Sequence, residues 1–299
     1  MMMMQYLCFS FQLPLLLLFL FTISSTHSFH DDRQSLLEFK SLITGNPHQS
    51  LADWSSANPL CNWTAITCTH LQPFDRVIVL NLTAMDLQGT ISPSLGNLSF
   101  LQSLDLSNNA LHGHIPPELG RLFRLRTLTF THNRLDGNIP MELGSLTHLQ
   151  FLNLGANSFT GTMPSIIANF SALTVLALAR NSLTGAIPPQ LGFLPTLEIL
   201  DLSTNQLSGT IPFSLSNIST LTYLGIFENR LSGVIPQELG LLTNLEILIA
   251  NDNELSSTIP SSLSNISTLI YLDCCKNKLS GTIPHDLGPL TNLQVLSLE

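Results

Sequence analysis

An asparagine that returns every 24 residues constrains the fold of this chain more than any other feature of its sequence. The series begins at Asn109 and continues without an insertion through Asn133, Asn157, Asn181, Asn205, Asn229, Asn253 and Asn277. A proline keeps the same period, at Pro116, Pro140, Pro164, Pro188, Pro212, Pro236, Pro260 and Pro284. A fixed period of this length indicates a solenoid, in which each copy forms one coil.

The residues around each asparagine follow the spacing L-x-x-L-x-L-x-x-N-x-L, which is the leucine-rich repeat. Within Leu101–Phe123, Leu104 and Leu106 alternate with polar residues, which predicts a short strand with one buried face. One coil cannot bury its leucines alone, so stacked coils must share a core. Each asparagine follows the strand, where its amide can satisfy backbone groups of the turn, and we expect a ladder of these side chains.

A Gly-x-Ile-Pro segment follows the turns at Gly113, Gly137, Gly161, Gly185, Gly209, Gly233 and Gly281, with Met163 in place of the isoleucine once. Glycine permits a tight bend, and the isoleucine before proline is restricted to extended conformations. The segment therefore predicts a second short extended stretch on every coil. Ser257 takes the place of the glycine once, and a looser turn is expected there.

Residues 1–28 have the features of a signal peptide. Leu13–Ile23 is almost wholly apolar, and Thr26-His27-Ser28 forms a small-x-small cleavage pattern. The apolar run is shorter than the ~18–20 residues that span a bilayer. A secreted chain is therefore predicted.

Residues 29–76 differ from the repeats and are predicted to form an N-terminal cap. Asp31 or Asp32 can begin a helix, which Gly45-Asn46-Pro47 ends. The apolar positions of this helix are Leu36, Leu37, Phe39, Leu42 and Ile43. Such a helix would cover the leucines that the first coil exposes.

Two motifs carry a family resemblance. Gly-x-Ile-Pro followed by x-x-Leu-Gly-x-Leu resembles the plant-type subclass of leucine-rich repeats, and LADW with CNWTAITC resembles the N-terminal cap of plant extracellular leucine-rich-repeat proteins. Thr64-Ala65-Ile66 departs from the Gly-Val part of that cap pattern. The resemblance implies an α/β solenoid, a right-handed superhelix with a parallel sheet on its concave face. It also implies a helical cap closed by a Cys61–Cys68 disulfide, which agrees with an oxidising compartment.

Residues 77–299 contain nine complete repeats and a tenth that begins at Leu293, so we expect a piece or a truncated product of a longer protein. Cys8 would leave with the signal peptide, while Cys274 is expected to be buried and Cys275 to be a surface thiol. Sequons for N-glycosylation occur at Asn62, Asn81, Asn97, Asn169, Asn217 and Asn265. The last four share one phase of the repeat, opposite the strands, so their glycans would leave the strand face clear.

The outward positions of the strands are the predicted binding surface. They are polar and small in the early repeats, and apolar or aromatic from the fourth repeat on, with charges at one edge. The predicted ligand-binding residues are Phe151, Val175, Arg180, Ile199, Asp201, Tyr223, Phe227, Glu228, Ile247, Ile249, Asp252 and Tyr271. The alternative is that the apolar residues only support strand pairing.

The sequence does not support a catalytic function. No phosphate-binding loop, nucleophile elbow, kinase signature or metal-helix motif occurs, and His112-x-His114 lacks further ligands nearby. No cofactor and no metal are expected. The net charge of −9 argues against a nucleic-acid partner.

The cap, the repeat subclass and the sequons resemble the ectodomain of plant leucine-rich-repeat receptor kinases from Asp31 to Glu299. This resemblance implies a peptide or microbial protein ligand outside the cell, a leucine-rich-repeat co-receptor, and a serine/threonine kinase and membrane anchor in segments absent from this sequence. Signalling would serve defence or development. A secreted binder similar to the polygalacturonase-inhibitor family, or a truncated receptor product, is the alternative.

Overall fold

The computed structural model describes residues 31–71, 74–288 and 290–298, and the predicted signal peptide at residues 1–28 lies outside them. From Asp32 onward the chain forms one compact unit, a stack of coils behind an N-terminal cap. The predicted leucine-rich-repeat solenoid is confirmed.

A sheet of eleven strands lines the concave face of the stack and is called the concave sheet below. Its first two strands pair antiparallel and every later pair is parallel. The strands are Ile66–Leu71, Phe74–Asn81, Ser103–Asp105, Thr127–Thr129, Phe151–Asn153, Val175–Ala177, Ile199–Asp201, Tyr223–Gly225, Ile247–Ile249, Tyr271–Asp273 and Val295–Ser297. The strand Phe74–Asn81 runs across the position between residues 76 and 77 where the sequence placed the end of the cap.

Each coil carries a second strand, which ends at or near the glycine of Gly-x-Ile-Pro rather than at the isoleucine. These flank strands are Gln88–Thr90, Ala110–Gly113, Arg134–Asn138, Ser158–Thr160, Thr184–Gly185, Gln206–Gly209, Arg230–Gly233, Glu254–Ser257 and Lys278–Leu279. A 3-10 helix then completes the coil: Pro93–Asn97, Pro117–Arg121, Met141–Ser145, Ser165–Asn169, Pro189–Phe193, Phe213–Asn217, Gln237–Leu241, Ser261–Asn265 and His285–Leu287. A further 3-10 helix, Leu60–Asn62, lies in the cap.

The core is a continuous column of leucines. One inward leucine on each strand of the concave sheet from Phe74–Asn81 to Tyr271–Asp273 is at most 1% exposed, as Leu80, Leu200 and Leu272 show. Leu296, in the final strand, is 42% exposed. Because each leucine contacts the coil before and the coil after it, stability is close to a sum over neighbouring coils.

The asparagine ladder is confirmed, and Asn181 shows its geometry. Its Nδ2 donates to the carbonyl of Leu154 on the preceding coil at 3.1 Å and to that of Leu178 in its own turn at 3.0 Å. Its Oδ1 accepts the backbone N–H of Phe159 at 3.0 Å. One amide therefore joins two coils and satisfies backbone groups that would otherwise be buried without partners.

The cap helix spans Asp32–Ser41 and is shorter than predicted. Leu42 is 38% exposed, and Ile43–Gly45 is a strand that pairs antiparallel with Gln88–Thr90. The cause of this difference is tertiary, because Ile43 pairs with Gly89 and Gly45 with Gln88 instead of continuing the helix. The helix still buries Leu36 and Phe39 completely.

A disulfide joins Cys61 to Cys68 with their Cα atoms 5.6 Å apart, as the resemblance implied. Both tryptophans of the cap are buried, and the rings of Trp54 and Trp63 stack with centroids 5.4 Å apart. Trp54 Nε1 donates to the carbonyl of Thr64 at 3.0 Å. The cap therefore has an aromatic core of its own that continues into the leucine core.

The turn at Ser257 is not looser than its neighbours. Ser257 has φ of +72°, one degree below the range of +73° to +83° found for the equivalent glycines from Gly113 to Gly281. The stacked coils therefore hold a residue with a Cβ in the left-handed region, where L-residues are disfavoured by roughly 1–2 kcal/mol.

Replacing Ser257 by glycine is expected to stabilise the protein by about 1 kcal/mol, because the strain disappears while the added chain entropy of glycine offsets part of the gain. Urea unfolding followed by circular dichroism measures this change. Ser256→Gly is the matched control and should destabilise, because Ser256 has no positive φ and donates from Oγ to the carbonyl of Gly233. Equal effects at both positions would show that the left-handed backbone carries no strain.

Candidate functional site

The predicted apolar residues form one unbroken column across the concave sheet. Strand register places the side chains of neighbouring members at equivalent positions of adjacent coils. We call this set the apolar column; it comprises Phe151, Val175, Ile199, Tyr223, Ile247, Tyr271 and Val295. Ile199 and Val295 are 36% and 38% exposed, and the five others are half-buried. In the first three coils the same positions hold Val79, Ser103 and Thr127.

Tyr223 is the member of the apolar column with the most specific surroundings. A Cβ atom placed on Gly225 would lie 2.8 Å from Tyr223 Oη and 3.0 Å from Asp201 Oδ1. The ring therefore occupies space that any side chain at Gly225 would fill. Burial, and then the nearby Asp201 carboxylate, raise the pKa of Tyr223 to about 12, so its hydroxyl stays protonated and can donate a hydrogen bond.

Asp201 is itself held in place by Ser203. Its Oδ1 accepts hydrogen bonds from the Ser203 backbone N–H at 3.2 Å and from the Ser203 hydroxyl at 2.6 Å. Asp201 therefore offers a ligand a charged hydrogen-bond acceptor. The Tyr223 hydroxyl and the apolar column lie beside it and offer a donor and apolar contact area. Phe227 and Ile249, on the adjoining outward positions, are half-buried and extend that area.

The predicted charges lie along one edge of the concave sheet, where each strand ends. This edge column comprises Arg180, Thr204, Glu228, Asp252 and Lys276. All five have φ between +51° and +57°, although none is glycine. Thr204 Oγ1 donates to Glu228 Oε2 at 2.9 Å, and Lys276 Nζ lies 3.7 Å from Asp252 Oδ2. Exposed pairs of this kind contribute little to stability, so the charges remain available to a partner.

Three residues of this surface were missed by the sequence reasoning. Val295 continues the apolar column and could have been found by adding 24 to Tyr271. Thr204 positions Glu228, and Gly225 makes room for Tyr223. The roles of Thr204 and Gly225 depend on side-chain conformations, for which the repeat pattern carries no signal.

The two free cysteines lie as predicted, Cys274 buried and Cys275 half-buried on the concave side. Burial, together with the Asp273 carboxylate and the Cys275 thiol, raises the pKa of Cys274 to about 12, so its thiol stays protonated and inert. The pKa of Cys275 is also raised, chiefly by its hydrogen bond to Asp273. Neither group is a reactive thiolate at neutral pH.

The six sequons lie at the surface. Asn62 and Asn81 are exposed, at the end of the cap's 3-10 helix and of the strand Phe74–Asn81. Asn97, Asn169, Asn217 and Asn265 are each the last residue of a 3-10 helix. The helices place these four away from the concave sheet, and their glycosylation stays a prediction.

Other features of the described residues do not assemble a catalytic centre. No three His, Cys, Asp or Glu side chains in residues 31–71, 74–288 and 290–298 converge as metal ligands would. A groove of about 1180 Å³ lies on the flank, where Ile-Pro turns such as Ile211-Pro212 and Ile235-Pro236 stack beside Phe213. This groove is separate from the apolar column, and its lining offers carboxylates at Glu238 and Asp286 but no nucleophile paired with a base.

Family models match most of the described chain. The leucine rich repeat N-terminal domain matches residues 29–69, the leucine-rich repeat region residues 78–210, and the leucine rich repeat residues 244–266 and 268–290. A solved plant ice-binding protein is 30% identical with a TM-score of 0.76, and the match covers 89% of this chain and 85% of that one. The chain belongs to the leucine-rich-repeat family.

Other relatives in this family are plant receptor kinases. The ectodomain of the plant membrane receptor kinase GASSHO1/SCHENGEN3 from Arabidopsis thaliana, solved with CASPARIAN STRIP INTEGRITY FACTOR 2, is 46% identical with a TM-score of 0.84. That match covers 88% of this chain and 32% of the ectodomain. The LRR receptor-like serine/threonine-protein kinase EFR of Arabidopsis thaliana is 49% identical over 80 residues, which are 26% of this chain and 8% of EFR.

This leucine-rich-repeat chain thus spans a small part of the receptor kinases that it matches, within their ectodomain-like region. The matched segments carry repeats and no kinase domain. Among the helices of the described part of the chain, none combines the length and the apolar character needed to cross a bilayer.

Proposed function

We propose that this chain is the extracellular ligand-recognition domain of a plant leucine-rich-repeat receptor kinase. In this proposal the concave sheet binds a peptide or a microbial protein, a leucine-rich-repeat co-receptor joins the complex, and the signal serves defence or development. The signal peptide at residues 1–28 directs the chain into the secretory pathway, and the kinase and the membrane anchor belong to segments outside this sequence. The similarity to the GASSHO1 ectodomain, solved in complex with a ligand, supports this assignment.

The apolar column is the observation that carries the proposal. Strand pairing through the backbone does not require apolar side chains on an exposed face, since the second and third coils pair in the same register with Ser103 and Thr127 at this position. Seven consecutive apolar positions therefore exceed what the fold needs. An exposed apolar strip with aromatic residues and a charged border has the composition of a recognition surface.

The contact chemistry narrows the kind of ligand. An extended peptide laid across the strands would meet the apolar column every ~4.8 Å. Its apolar side chains would pack between Ile199, Tyr223 and Ile247, and a basic or hydrogen-bond-donating group would reach Asp201 or Glu228. Arg180 lies on the same edge and would accept a carboxylate of the peptide.

Replacing Tyr223 and Phe227 singly by alanine is expected to weaken binding about 30-fold or more, because buried aromatic anchors typically contribute about 2 kcal/mol or more at a hot spot. The test uses the full chain secreted from plant cells and synthetic peptides selected against it from a displayed library. Affinities are measured by calorimetry. Unchanged thermal unfolding of the variants shows that the fold is intact.

Phe213→Ala is the matched control, since Phe213 is 68% exposed in the flank groove and lies away from the concave sheet. Its affinity for the selected peptides should equal that of the unaltered protein. Peptides that lose affinity through Phe213→Ala but bind the Tyr223→Ala protein normally would place the site in the groove and refute a concave-face site.

A wholly secreted binder is the second candidate. The plant ice-binding protein favours it, because the match covers 85% of that protein's chain, against 32% for the GASSHO1 ectodomain. Fractionation of plant tissue with an antibody against the cap discriminates the two candidates. Recovery in the membrane pellet supports the receptor, and recovery of the same polypeptide in washed extracellular fluid supports the secreted binder.

A further inference from the structure

Consecutive 3-10 helices end alternately in a sequon asparagine and in an exposed apolar residue. The five helices from Ser165–Asn169 to Ser261–Asn265 end, in order, in Asn169, Phe193, Asn217, Leu241 and Asn265. Phe193 is 70% and Leu241 64% exposed, and the three asparagines are exposed as well. Each apolar residue therefore has a sequon on the coil before it and another on the coil after it.

These helices abut one another at this end. A Cβ placed on Gly192 would collide with the backbone carbonyl oxygen of Ser214, and one on Gly240 with that of Ser262. Both glycines directly precede the apolar residues, so the helix that ends at Phe193 lies against the helix that ends at Asn217.

Nothing in the coil itself requires an apolar side chain at Phe193 or Leu241. The neighbouring Leu191, Leu194, Leu239 and Leu242 supply the core and are at most 1% exposed. The equivalent position is Arg121 in the second repeat and Ser145 in the third, and both of those coils are packed in the same way. The two residues would expose large apolar area on a secreted protein, which promotes association unless something covers it.

We propose that N-linked glycans on Asn169, Asn217 and Asn265 lie over Phe193 and Leu241 and shield them from solvent and from other proteins. The inference rests on the secretion that the proposed function includes. In the attachment step, Nδ2 of the asparagine bonds to C1 of the first sugar, the pyrophosphate of a lipid-linked oligosaccharide leaves, and the amide loses one proton. The first N-acetylglucosamine then presents its apolar C–H face to the Phe193 ring, while its hydroxyls face water.

This arrangement explains why the apolar residues and the sequons alternate. Each glycan spans about one coil to either side, so asparagines on every second coil cover the coils between them. A protein partner is a poorer occupant, because glycans on both neighbouring coils would obstruct its approach. The helix after the Asn97 sequon ends instead in Arg121, which is polar and exposed. Phe123, two residues beyond that helix and 51% exposed, has the Arg124 guanidinium over its ring, 5.4 Å from the centroid.

The test compares two Asn→Gln variants of the full chain, secreted from plant cells. Asn217→Gln removes the glycan between Phe193 and Leu241, and Asn97→Gln is the matched control beside Arg121. Glycopeptide mass spectrometry establishes occupancy. Binding of a hydrophobic fluorescent dye and sedimentation velocity then report the exposed apolar surface.

Asn217→Gln is expected to raise dye fluorescence about twofold or more and to produce self-association, whereas Asn97→Gln leaves both unchanged. Adding Phe193→Ser and Leu241→Ser should return the Asn217→Gln protein to the dye binding of the unaltered chain. Trimming the folded glycoprotein with an endoglycosidase that leaves one N-acetylglucosamine should change little, because that sugar makes the contact. Complete removal of the glycans from the folded protein should raise dye binding, and it provides the readout if the variant is not secreted.

An unoccupied Asn217 in the secreted protein would overturn the proposal, and so would equal dye binding before and after complete removal of the glycans. Peptide affinity on the concave sheet is a separate measurement, which Asn217→Gln should leave unchanged. A chain that fails to bind any peptide but shows the dye response would therefore refute the proposed receptor function and leave the glycan shield standing.

Discussion

Replacing Asp32 by asparagine is expected to destabilise the protein by about 3 kcal/mol, because it leaves a partly buried arginine without its counter-ion. Asp32 is 3% exposed. Its Oδ2 accepts the backbone N–H of Val77 at 2.8 Å, and its two oxygens accept from Arg76 Nη2 at 2.9 Å and Nε at 3.1 Å. This bidentate pair joins the first turn of the cap helix to Phe74–Asn81, the second strand of the concave sheet.

The loss of stability in the Asp32→Asn protein should affect the cap before the repeats. Arg76 also lies over the Phe100 ring, 4.4 Å from its centroid, so its misplacement would reach the first complete repeat. Hydrogen exchange followed by mass spectrometry should show protection lost from Asp32–Ser41 and Phe74–Asn81 before any later coil opens. Denaturant unfolding of the full chain gives the change in free energy.

Asp86→Asn is the control for the loss of a charge. Asp86 Oδ2 lies 2.8 Å from His48 Nε2, but the two side chains are 69% and 64% exposed. An exposed pair of this kind should cost at most about 1 kcal/mol. If both variants lost equal stability, the cap would depend on total charge and not on the buried contact between Asp32 and Arg76.

The repeat region was predictable because each coil experiences nearly the same surroundings. A leucine at Leu200 and one at Leu104 have the same neighbours, so 24-residue spacing is enough to assign both to the core. The ladder asparagines and the outward positions of the strands follow from the same argument. The Cys61–Cys68 disulfide came from the resemblance of the cap and is observed.

The errors occurred where long-range contacts override local preference. Leu42 and Ile43 continue an apolar helical pattern, yet Ile43–Gly45 pairs with Gln88–Thr90, a partner that no local pattern indicates. Ser257 keeps the backbone of a glycine because the coils on both sides fix its position. The edge column is left-handed for the same reason: Arg180 N–H donates to the Ser203 carbonyl of the next coil at 3.0 Å.

For the candidate site, the sequence placed the residues on one face but could not describe their arrangement. The apolar column follows from the period alone. That Tyr223 lies over Gly225, beside Asp201, depends on a side-chain rotamer and on the missing Cβ of a residue in the same strand. Ligand recognition depends on such side-chain conformations, which the 24-residue period does not determine.

Replacing Asn253 by leucine is expected to destabilise the solenoid by about 3 kcal/mol, because a buried backbone donor and several carbonyls lose their partner. Asn253 is the most buried member of the ladder among the described residues, at 9% exposed. Its Oδ1 accepts the Leu231 N–H at 2.9 Å, and its Nδ2 donates to the carbonyls of Ile226 at 3.0 Å and Ala250 at 3.2 Å. Leucine fills a similar volume, so the change tests hydrogen bonding and not packing.

Asn251→Leu is the matched control, since Asn251 precedes the ladder residue by two positions and lies on the outward, concave side, half-buried. Its substitution should change the free energy of unfolding by less than about 1 kcal/mol, as is usual for surface positions. Because stability is summed over neighbouring coils, the Asn253→Leu protein should also unfold in two steps, the coils from Leu231 onward opening before those near the cap. A single transition at the original midpoint would mean that the ladder amide contributes nothing to stability beyond the leucine core. Apolar burial alone would then hold the coils together.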